Sequence, residues 1–314
     1  MEKKAIFIGG CDRSGTTMLG SMLGMGTGCV TTPESFFKMA VCFGGQDGME
    51  MEEVREVLRK VGNDFRFRLW KSPVPDAKCF RDRKITPYRE IILSVVKEYA
   101  KKVGKSEWTT WIDHTPTNLR HRYLLKGFFR ESKFIHIVRD GRAIAASIMP
   151  LSWGPNTIYY AARWWAENIS PGLAAEHGAP DDVYRVKYED LVLYPENTLK
   201  KLCKFAGIPF TFDMINGLGF VVPRYTHKQH SLIGKKPDKQ RIQAWKHRLK
   251  SREIEIFESM VGEILLSLGY GIEYRTPRPM TRGEVWKSRT TEITKVVINK
   301  LVDKKRKGLA FFSN

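Results

Sequence analysis

The 314-residue sequence is poor in cysteine and lacks a paired cysteine motif. Its five cysteines stand alone at positions 11, 29, 42, 79 and 203, and no two of them form a Cys-x-x-Cys pair. An odd number of scattered cysteines suits reduced thiols better than a disulfide framework or a zinc site.

Long apolar runs are also missing. No stretch approaches the roughly 18 consecutive apolar residues of a membrane span. The first segment with the character of a core strand begins at Ala5, which leaves no room for a signal peptide before it. We therefore expect the protein to be made and kept in the cytoplasm.

Acidic residues are few, with 34 Asp and Glu against 53 Lys and Arg, a net charge of +19. Because no zinc-finger, basic-zipper or RNA-recognition pattern accompanies this charge, we expect no nucleic-acid partner. The surplus is concentrated between Arg275 and Lys307, where eleven basic residues face three acidic ones. With Ile293, Val297 and Leu301, this segment could form an amphipathic basic helix suited to an anionic membrane or a polyanion. The alternative is a solvated tail, or a helix packed on the domain.

A lysine is missing from an otherwise familiar loop. The segment after the first predicted strand reads Gly-Gly-Cys-Asp-Arg-Ser-Gly-Thr-Thr. In it, Gly10, Gly15 and Thr17 occupy the positions of the two glycines and the hydroxyl of an ATP-type P-loop, whereas Thr16 stands in place of the lysine. Backbone amides and the following helix N-terminus can still hold an anion, and Arg13 supplies a different cation. The loop predicts a phosphorylated nucleotide other than Mg-ATP, the alternative being an ordinary glycine-rich turn.

Strand-like and helix-like segments alternate along the chain. The predicted strands are Ala5–Gly9, Cys29–Thr32, Thr109–Asp113, Lys133–Arg139 and Val183–Lys187. The predicted helices include Thr16–Met25, Glu52–Val61, Pro87–Val103, Thr117–Phe129 and Pro195–Gly207. This alternation predicts an α/β fold, a parallel sheet flanked by helices. Ligands gather at the carboxyl ends of such strands, so one cleft could hold Arg13, Glu34, His114 and Arg139.

A second motif gives the sequence a family resemblance. The strand Lys133–Arg139 is followed by Asp-Gly-Arg and a helical stretch that ends at Ser147. Together with the first loop, this resembles the sulfotransferases that use 3′-phosphoadenosine 5′-phosphosulfate (PAPS), which have a P-loop-like fold. The resemblance implies that the 5′-phosphosulfate is bound by the loop residues Arg13, Ser14, Gly15, Thr16 and Thr17. It also implies that Arg139 and Ser147, eight residues apart, bind the 3′-phosphate.

The resemblance extends over about residues 5 to 270. Tyr188, in Tyr-Glu-Asp-Leu, resembles the family's tyrosine near the adenine, although the acidic residues after it could simply cap a helix. Lys235 and Lys236 resemble the family's C-terminal lysine loop. We predict a single sulfotransferase domain over 1–274 and a basic tail over 275–314.

The reaction implied is in-line displacement at sulfur by a hydroxyl or amine acceptor, releasing adenosine 3′,5′-bisphosphate. Glu34, in Pro-Glu-Ser-Phe-Phe, resembles the catalytic glutamate of tyrosylprotein and heparan sulfotransferases; its alternative roles are a helix-start carboxylate or a partner for Arg13. His114, in Asp-His-Thr-Pro where relatives often have lysine, is the second candidate for the base. Arg13 would neutralise charge on the sulfuryl group, so no metal is expected.

Two other classes of protein share some of these features. A P-loop nucleotide or small-molecule kinase would have the first βα unit, but it would need Mg²⁺ and the missing lysine. A non-catalytic basic nucleotide- or membrane-binding protein would explain the charge but not the two nucleotide motifs. The acceptor stays open among tyrosine, carbohydrate and small-molecule hydroxyls.

Overall fold

A five-stranded sheet organises the chain in a computed structural model that describes residues 3–42, 48–220 and 238–312. The strands are β1 (Lys4–Gly9), β2 (Cys29–Thr32), β3 (Thr110–Asp113), β4 (Lys133–Val138) and β5 (Val183–Lys187). They lie in the order β2-β3-β1-β4-β5. β1 pairs in parallel with β3 and β4, and β2 pairs in parallel with β3. The predicted α/β fold with a parallel sheet flanked by helices is confirmed.

Helices fill most of the rest of the described chain. They are α1 (Thr16–Leu23), α2 (Phe37–Ala40), α3 (Met51–Asn63), α4 (Phe65–Arg68), α5 (Tyr88–Lys102), α6 (Arg122–Phe128), α7 (Gly141–Ile148), α8 (Ile158–Gly178), α9 (Tyr188–Leu193), α10 (Pro195–Ala206), α11 (Trp245–Arg248), α12 (Ser251–Ser267) and α13 (Arg282–Phe312). Local sequence sets several ends. Pro195 opens α10 at a position where its missing N–H costs nothing, and Gly207 closes that helix with a left-handed φ of 66°.

Contacts divide the chain into two compact units, and each is described by itself. The sheet unit comprises Met1–Gly10, Gly15–Ile137 and Pro171–Pro237. The helical unit comprises Cys11–Ser14, Val138–Ser170 and Asp238–Asn314. The predicted division of the sequence at residue 274 stays a prediction.

Both faces of the sheet are buried, as a parallel sheet requires. Alternate residues of β1 point to opposite sides, so that Phe7 belongs to one core and Ile8 to the other. Phe7 packs edge-on or tilted against Trp111, Phe129 and Phe134 at centroid distances of 5.3 to 5.5 Å. That core is covered by α3, α5 and α6, and the opposite core by α1 and α10.

The helical unit has a tight centre of its own. A Cβ at Gly141, the first residue of α7, would lie 2.6 Å from the ring of Trp165 and 2.7 Å from Phe257. Only glycine therefore lets α7 approach α8 and α12 so closely. The two rings themselves pack with centroids 5.7 Å apart.

Most predicted elements are found, with differences at their ends. β2 and β5 have the predicted bounds, whereas the helix predicted over Thr117–Phe129 divides into a 3-10 helix, Pro116–His121, and α6. No prediction covered α8, which contains Pro171 in its interior. Its buried residues do follow helical spacing: Ile158, Ala161, Ala162, Trp165 and Ile169.

Candidate active site

The loop after β1 has the backbone of an anion-binding turn. Gly10 and Gly15 have φ values of 153° and 103°, and Arg13 between them has a left-handed φ of 71°. The amide of Ser14 donates to the carbonyl of Cys11 at 3.1 Å, and the Ser14 hydroxyl donates to the same oxygen. The Ser14 side chain is thus engaged in closing the loop.

Helix α1 begins directly after the loop, with Gly15 as its N-cap residue. Thr16 and Thr17, both buried, form its first turn, whose amides have no acceptor within the helix. These amides and the positive end of the helix can hold a phosphate or sulfate oxygen. A Cβ at Gly15 would lie only 2.8 Å from Cδ2 of Tyr188. The tyrosine predicted for the adenine side therefore packs directly on the loop glycine.

Two arginines and a serine meet in the helical unit. Nε of Arg13 donates to Oγ of Ser147, on α7, at 3.2 Å. Arg139, the residue after β4, donates from Nη1 to the carbonyl oxygen of Arg13 at 3.0 Å. All three residues are half-buried. We call Arg13, Arg139 and Ser147 the arginine cluster; its two guanidinium groups and hydroxyl can all donate to phosphate oxygens.

Arg142 follows in the same motif but has another role. Its guanidinium contacts Asp140 at 2.7 Å and Glu258 at 2.5 Å, and it lies 4.0 Å from the ring centre of Trp245. Arg142 is buried in the first turn of α7. Its charge is balanced within the protein by Asp140 and Glu258.

A second group of residues lies at the carboxyl ends of β2 and β3. We call it the buried cluster; it consists of Ser35, Lys38, Asp113 and Thr115, and it joins the turns that follow these two strands. Nζ of Lys38, on α2, lies 2.9 Å from Oδ2 of Asp113, and both side chains are at most 1% exposed. The Ser35 hydroxyl donates to Asp113, and the Ser35 amide donates to Oγ1 of Thr115 at 2.8 Å. Thr115 in turn donates to Oδ1 of Asp113 from its amide at 2.8 Å and from its hydroxyl at 2.6 Å.

The buried cluster fixes the backbone next to both predicted bases. Glu34 precedes Ser35, and His114 lies between Asp113 and Thr115. Glu34 is half-buried, and its carbonyl accepts a hydrogen bond from Nε1 of Trp70 at 3.2 Å. The two turns that carry Glu34 and His114 are therefore held in one polar network.

Lys38 and Asp113 each favour the charged form of the other. Burial alone would raise the pKa of Asp113, but Lys38 and the hydrogen bonds from Ser35 and Thr115 outweigh it and hold that pKa below its ordinary value. Burial lowers the pKa of the Lys38 ammonium, while Asp113 and Glu34 oppose this effect. With Asp113 ionised, the 2.9 Å contact is an ion pair.

The side chain of His114 is enclosed by the protein. The side chain is 2% exposed, the ring of Phe220 lies 5.1 Å from its centre, and a Cβ at Gly20 would lie 3.0 Å from it. Neither ring nitrogen makes a hydrogen bond of normal geometry to the residues that the structure describes. Burial lowers the pKa of His114 to about 4. The imidazole is thus neutral near pH 7, able to accept a proton but unable to supply a positive charge.

The structure accounts for the predicted residues in three ways. It joins Glu34 and His114 through the buried cluster, places Tyr188 on Gly15, and joins Arg13, Arg139 and Ser147. Lys235 and Lys236 lie outside the described residues. A common cleft for Arg13, Glu34, His114 and Arg139 stays a prediction.

Sequence reasoning missed Lys38 and its partner Asp113. The signal was a lone lysine set among apolar residues in Phe-Phe-Lys-Met-Ala, since a lysine flanked in this way is buried only when it is paired.

Two kinds of feature are absent from residues 3–42, 48–220 and 238–312. In these ranges no three His, Cys, Asp or Glu residues are grouped so that they could hold a metal ion. No helix there is long and apolar enough to cross a membrane.

The chain is similar to known proteins in its sequence and in its fold. A family model described as the sulfotransferase family matches residues 5–212. The protein-tyrosine sulfotransferase of Drosophila melanogaster is 23% identical over 231 residues, which are 70% of this chain and 41% of that protein. Protein-tyrosine sulfotransferase A of Caenorhabditis elegans is 24% identical over 214 residues, 65% of this chain and 50% of that protein. The chain thus spans half or less of the curated relatives it matches.

Solved structures show the same fold. The sulfotransferase domain from the olefin synthase of Synechococcus PCC 7002 superposes with a TM-score of 0.59 at 19% identity, covering 87% of this chain and 97% of that domain. The sulfotransferase domain from the curacin biosynthetic pathway superposes with a TM-score of 0.55 at 16% identity, covering 87% and 99%.

Proposed function

This chain belongs to the sulfotransferase family, and from that premise we propose that it transfers the sulfuryl group of PAPS to a hydroxyl or amine acceptor. The observation that carries the proposal is the arginine cluster, since it joins the loop arginine to the Arg139 and Ser147 pair of the second motif. A nucleotide with a 3′-phosphate and a 5′-phosphosulfate has two anionic groups for such donors to bind.

The proposed binding mode assigns each part of PAPS to a different set of residues. The first-turn amides of α1, with Thr16 and Thr17, hold the 5′-phosphosulfate. Arg139 and Ser147 hold the 3′-phosphate, and Tyr188 meets the adenosine beside Gly15. Lys235 and Lys236 are proposed as further cations for the nucleotide.

The proposed reaction is an in-line displacement. The acceptor oxygen forms a bond to sulfur while the bond from sulfur to the bridging phosphate oxygen breaks, and the electron pair of that bond stays on adenosine 3′,5′-bisphosphate. Arg13 stabilises the charge that develops on the sulfuryl and leaving oxygens. The acceptor proton passes to a carboxylate or imidazole of the protein.

We assign that proton to Glu34. Its side chain is half-buried and lies on a turn that the buried cluster holds in place, whereas His114 is almost fully enclosed. The neutral state of His114 supports a role as hydrogen-bond partner rather than as a fixed positive charge. A role for His114 as an imidazolium is not part of this proposal.

The acceptor is proposed to carry a hydroxyl group, on a tyrosine, a carbohydrate or a small molecule. The names of the curated relatives make tyrosine the first to test. We also propose a cytoplasmic location, with peripheral contact between the basic C-terminal segment and an anionic membrane or polyanion.

The decisive experiment measures release of adenosine 3′,5′-bisphosphate from PAPS in excess chelator, with a panel of hydroxyl acceptors. We expect turnover without added metal, because Arg13 supplies the positive charge that the loop lysine and Mg²⁺ supply in an ATP-type P-loop. Binding to immobilised adenosine 3′,5′-bisphosphate, competed by PAPS and not by Mg-ATP, is the companion measurement. Strict dependence on Mg²⁺ with ATP as the donor would show a kinase instead, and binding without turnover would show a non-catalytic protein.

A further inference from the structure

Helix α13 is attached to the helical unit through polar groups. The Glu292 carboxylate accepts hydrogen bonds from the amide of the buried Asn156 at 3.0 and 3.2 Å and from its side chain at 3.1 Å. One helical repeat of seven residues later, Asn299 donates to Oδ1 of Asn156 at 3.0 Å. Near the start of the helix, Glu284 pairs with Arg252 at 2.8 Å. Polar contacts thus hold α13 on the rest of the helical unit, both near its start at Glu284 and further along at Glu292 and Asn299.

Large apolar side chains of the same helix face the solvent. Trp286 is 70% exposed, Ile293 is 66% exposed and Val297 is 55% exposed. Their spacings of seven and four residues place them on one stripe of the helix. This arrangement is the reverse of an ordinary surface helix, which turns its apolar stripe inward.

The charge around this stripe is strongly positive. From Arg282 to Lys307 the sequence has nine Lys or Arg and three acidic residues. Two of those three, Glu284 and Glu292, are occupied by contacts with the body. Little negative charge is left to balance the basic residues on the outward side of the helix.

We propose that α13 lies in the surface of an anionic lipid bilayer, with Trp286, Ile293 and Val297 inserted among the headgroups. A helix with an apolar stripe and basic flanks binds such surfaces by burying the stripe and attracting anionic lipids. A nucleic acid or sulfated polysaccharide would match the charge but would leave the three apolar side chains in water. The anchor at Asn156 sets which side of the helix faces the membrane. The proposal refines the peripheral contact suggested above and does not depend on the transfer reaction.

The test is co-sedimentation of the full chain with vesicles of phosphatidylcholine, with and without phosphatidylserine. We expect binding to the anionic vesicles and little to the neutral ones. Trp286→Ala combined with Ile293→Ser should weaken binding by at least about tenfold, because two apolar side chains lose their burial. Leu266→Ser, which changes a side chain 48% exposed on the neighbouring helix α12, is the matched control and should bind normally.

Other outcomes would overturn the proposal. One is equal binding of the double variant and the parent protein, with heparin or DNA displacing both, because charge alone would then suffice. Another is a protein that light scattering shows to be a dimer formed through the apolar stripe and that does not bind vesicles. Circular dichroism and thermal unfolding verify that each variant is folded. Transfer to a soluble acceptor without lipid is measured separately, so loss of that activity with vesicle binding intact would contradict only the transferase.

Discussion

The buried cluster and the arginine cluster use charge in opposite ways. In the buried cluster, Lys38 and Asp113 are almost fully enclosed and are paired with each other. In the arginine cluster, Arg13 and Arg139 are half-buried, and the contacts described above are to a hydroxyl and a carbonyl oxygen, which are neutral acceptors. A paired, enclosed charge positions its neighbours, whereas a half-buried guanidinium is accessible to a ligand.

This comparison assigns different consequences to similar substitutions. Breaking an enclosed ion pair leaves the other charge buried without compensation, so folding suffers. Removing a half-buried arginine should cost less stability, because water screens charges at partly exposed sites, so ligand binding or rate should suffer instead. The predictions below test that distinction, from the largest expected effect to the smallest.

The largest effect is expected at Glu34, which lies next to Ser35 of the buried cluster. Glu34→Gln keeps the shape and a hydrogen-bonding amide but removes the basic carboxylate, so turnover should fall by ~10² to 10⁴. Because the carboxylate is assigned to the acceptor proton and not to the nucleotide, the affinity for PAPS should persist. Steady-state kinetics and a direct PAPS binding assay measure the two quantities.

Its control is His114→Lys. A protonated lysine can donate a hydrogen bond but cannot accept the acceptor's proton. A fully active Glu34→Gln protein beside a dead but folded His114→Lys protein would exchange the roles and make His114 the base.

The next largest effect concerns the buried pair itself. Lys38→Met should lower the free energy of unfolding by about 3 to 5 kcal/mol, because Asp113 is left as an uncompensated buried charge. Lys38→Met combined with Asp113→Asn should recover part of the loss. Denaturant unfolding measures all three proteins.

Two matched changes sharpen the comparison. Lys200→Met removes an exposed pair with Glu196, 2.6 Å apart, and should cost at most about 1 kcal/mol. Arg139→Met removes a charge from the arginine cluster and should also cost little stability. If Arg139→Met destabilised the fold as much as Lys38→Met, the distinction between the two clusters would be wrong.

The sequence predicted those parts of the site that short segments encode. The bounds of β2 and β5 were confirmed, since each is a short run of strand-forming residues between turn signals. The loop between β1 and α1 could also be predicted, because the spacing of its glycines is a signal within one short segment.

The missed features depend on distant residues. Lys38 and Asp113 are 75 positions apart, and nothing near Lys38 in the sequence names its partner. The low pKa of His114 comes from enclosure beside Gly20 and Phe220, which also lie far away in the chain. Neither property can be obtained from periodicity or from a local motif.

A smaller effect on stability is expected at His114 when the pH is lowered. The pKa of His114 is about 4 in the folded protein and about 6.5 in an unfolded chain. Between these pH values the unfolded state binds a proton that the folded state does not, so stability falls as the pH falls, by roughly 3 kcal/mol in total. His114→Asn should remove this part of the pH dependence, whereas His247→Asn, at an exposed position, should leave it. Unfolding free energies from pH 7.5 to 4 measure the difference, and parallel curves for the parent and His114→Asn proteins would contradict it.

Among the effects on activity, the smallest is expected at Arg139, which is proposed to contact the 3′-phosphate. A contact far from sulfur is made equally in the ground state and the transition state, so Arg139→Ala should weaken PAPS binding more than it slows turnover at saturating PAPS. Loss of a charge-assisted hydrogen bond is typically worth ~1.5 to 3 kcal/mol, or roughly 10- to 150-fold in affinity. Arg139→Lys should recover little, since lysine cannot make the two parallel contacts of a guanidinium. Arg13→Ala should show the reverse pattern, with the larger loss in turnover, because its charge is used where the sulfur bond breaks. If Arg139→Ala left PAPS affinity unchanged, Arg139 would not contact the 3′-phosphate, and the arginine cluster would not be a nucleotide-binding group.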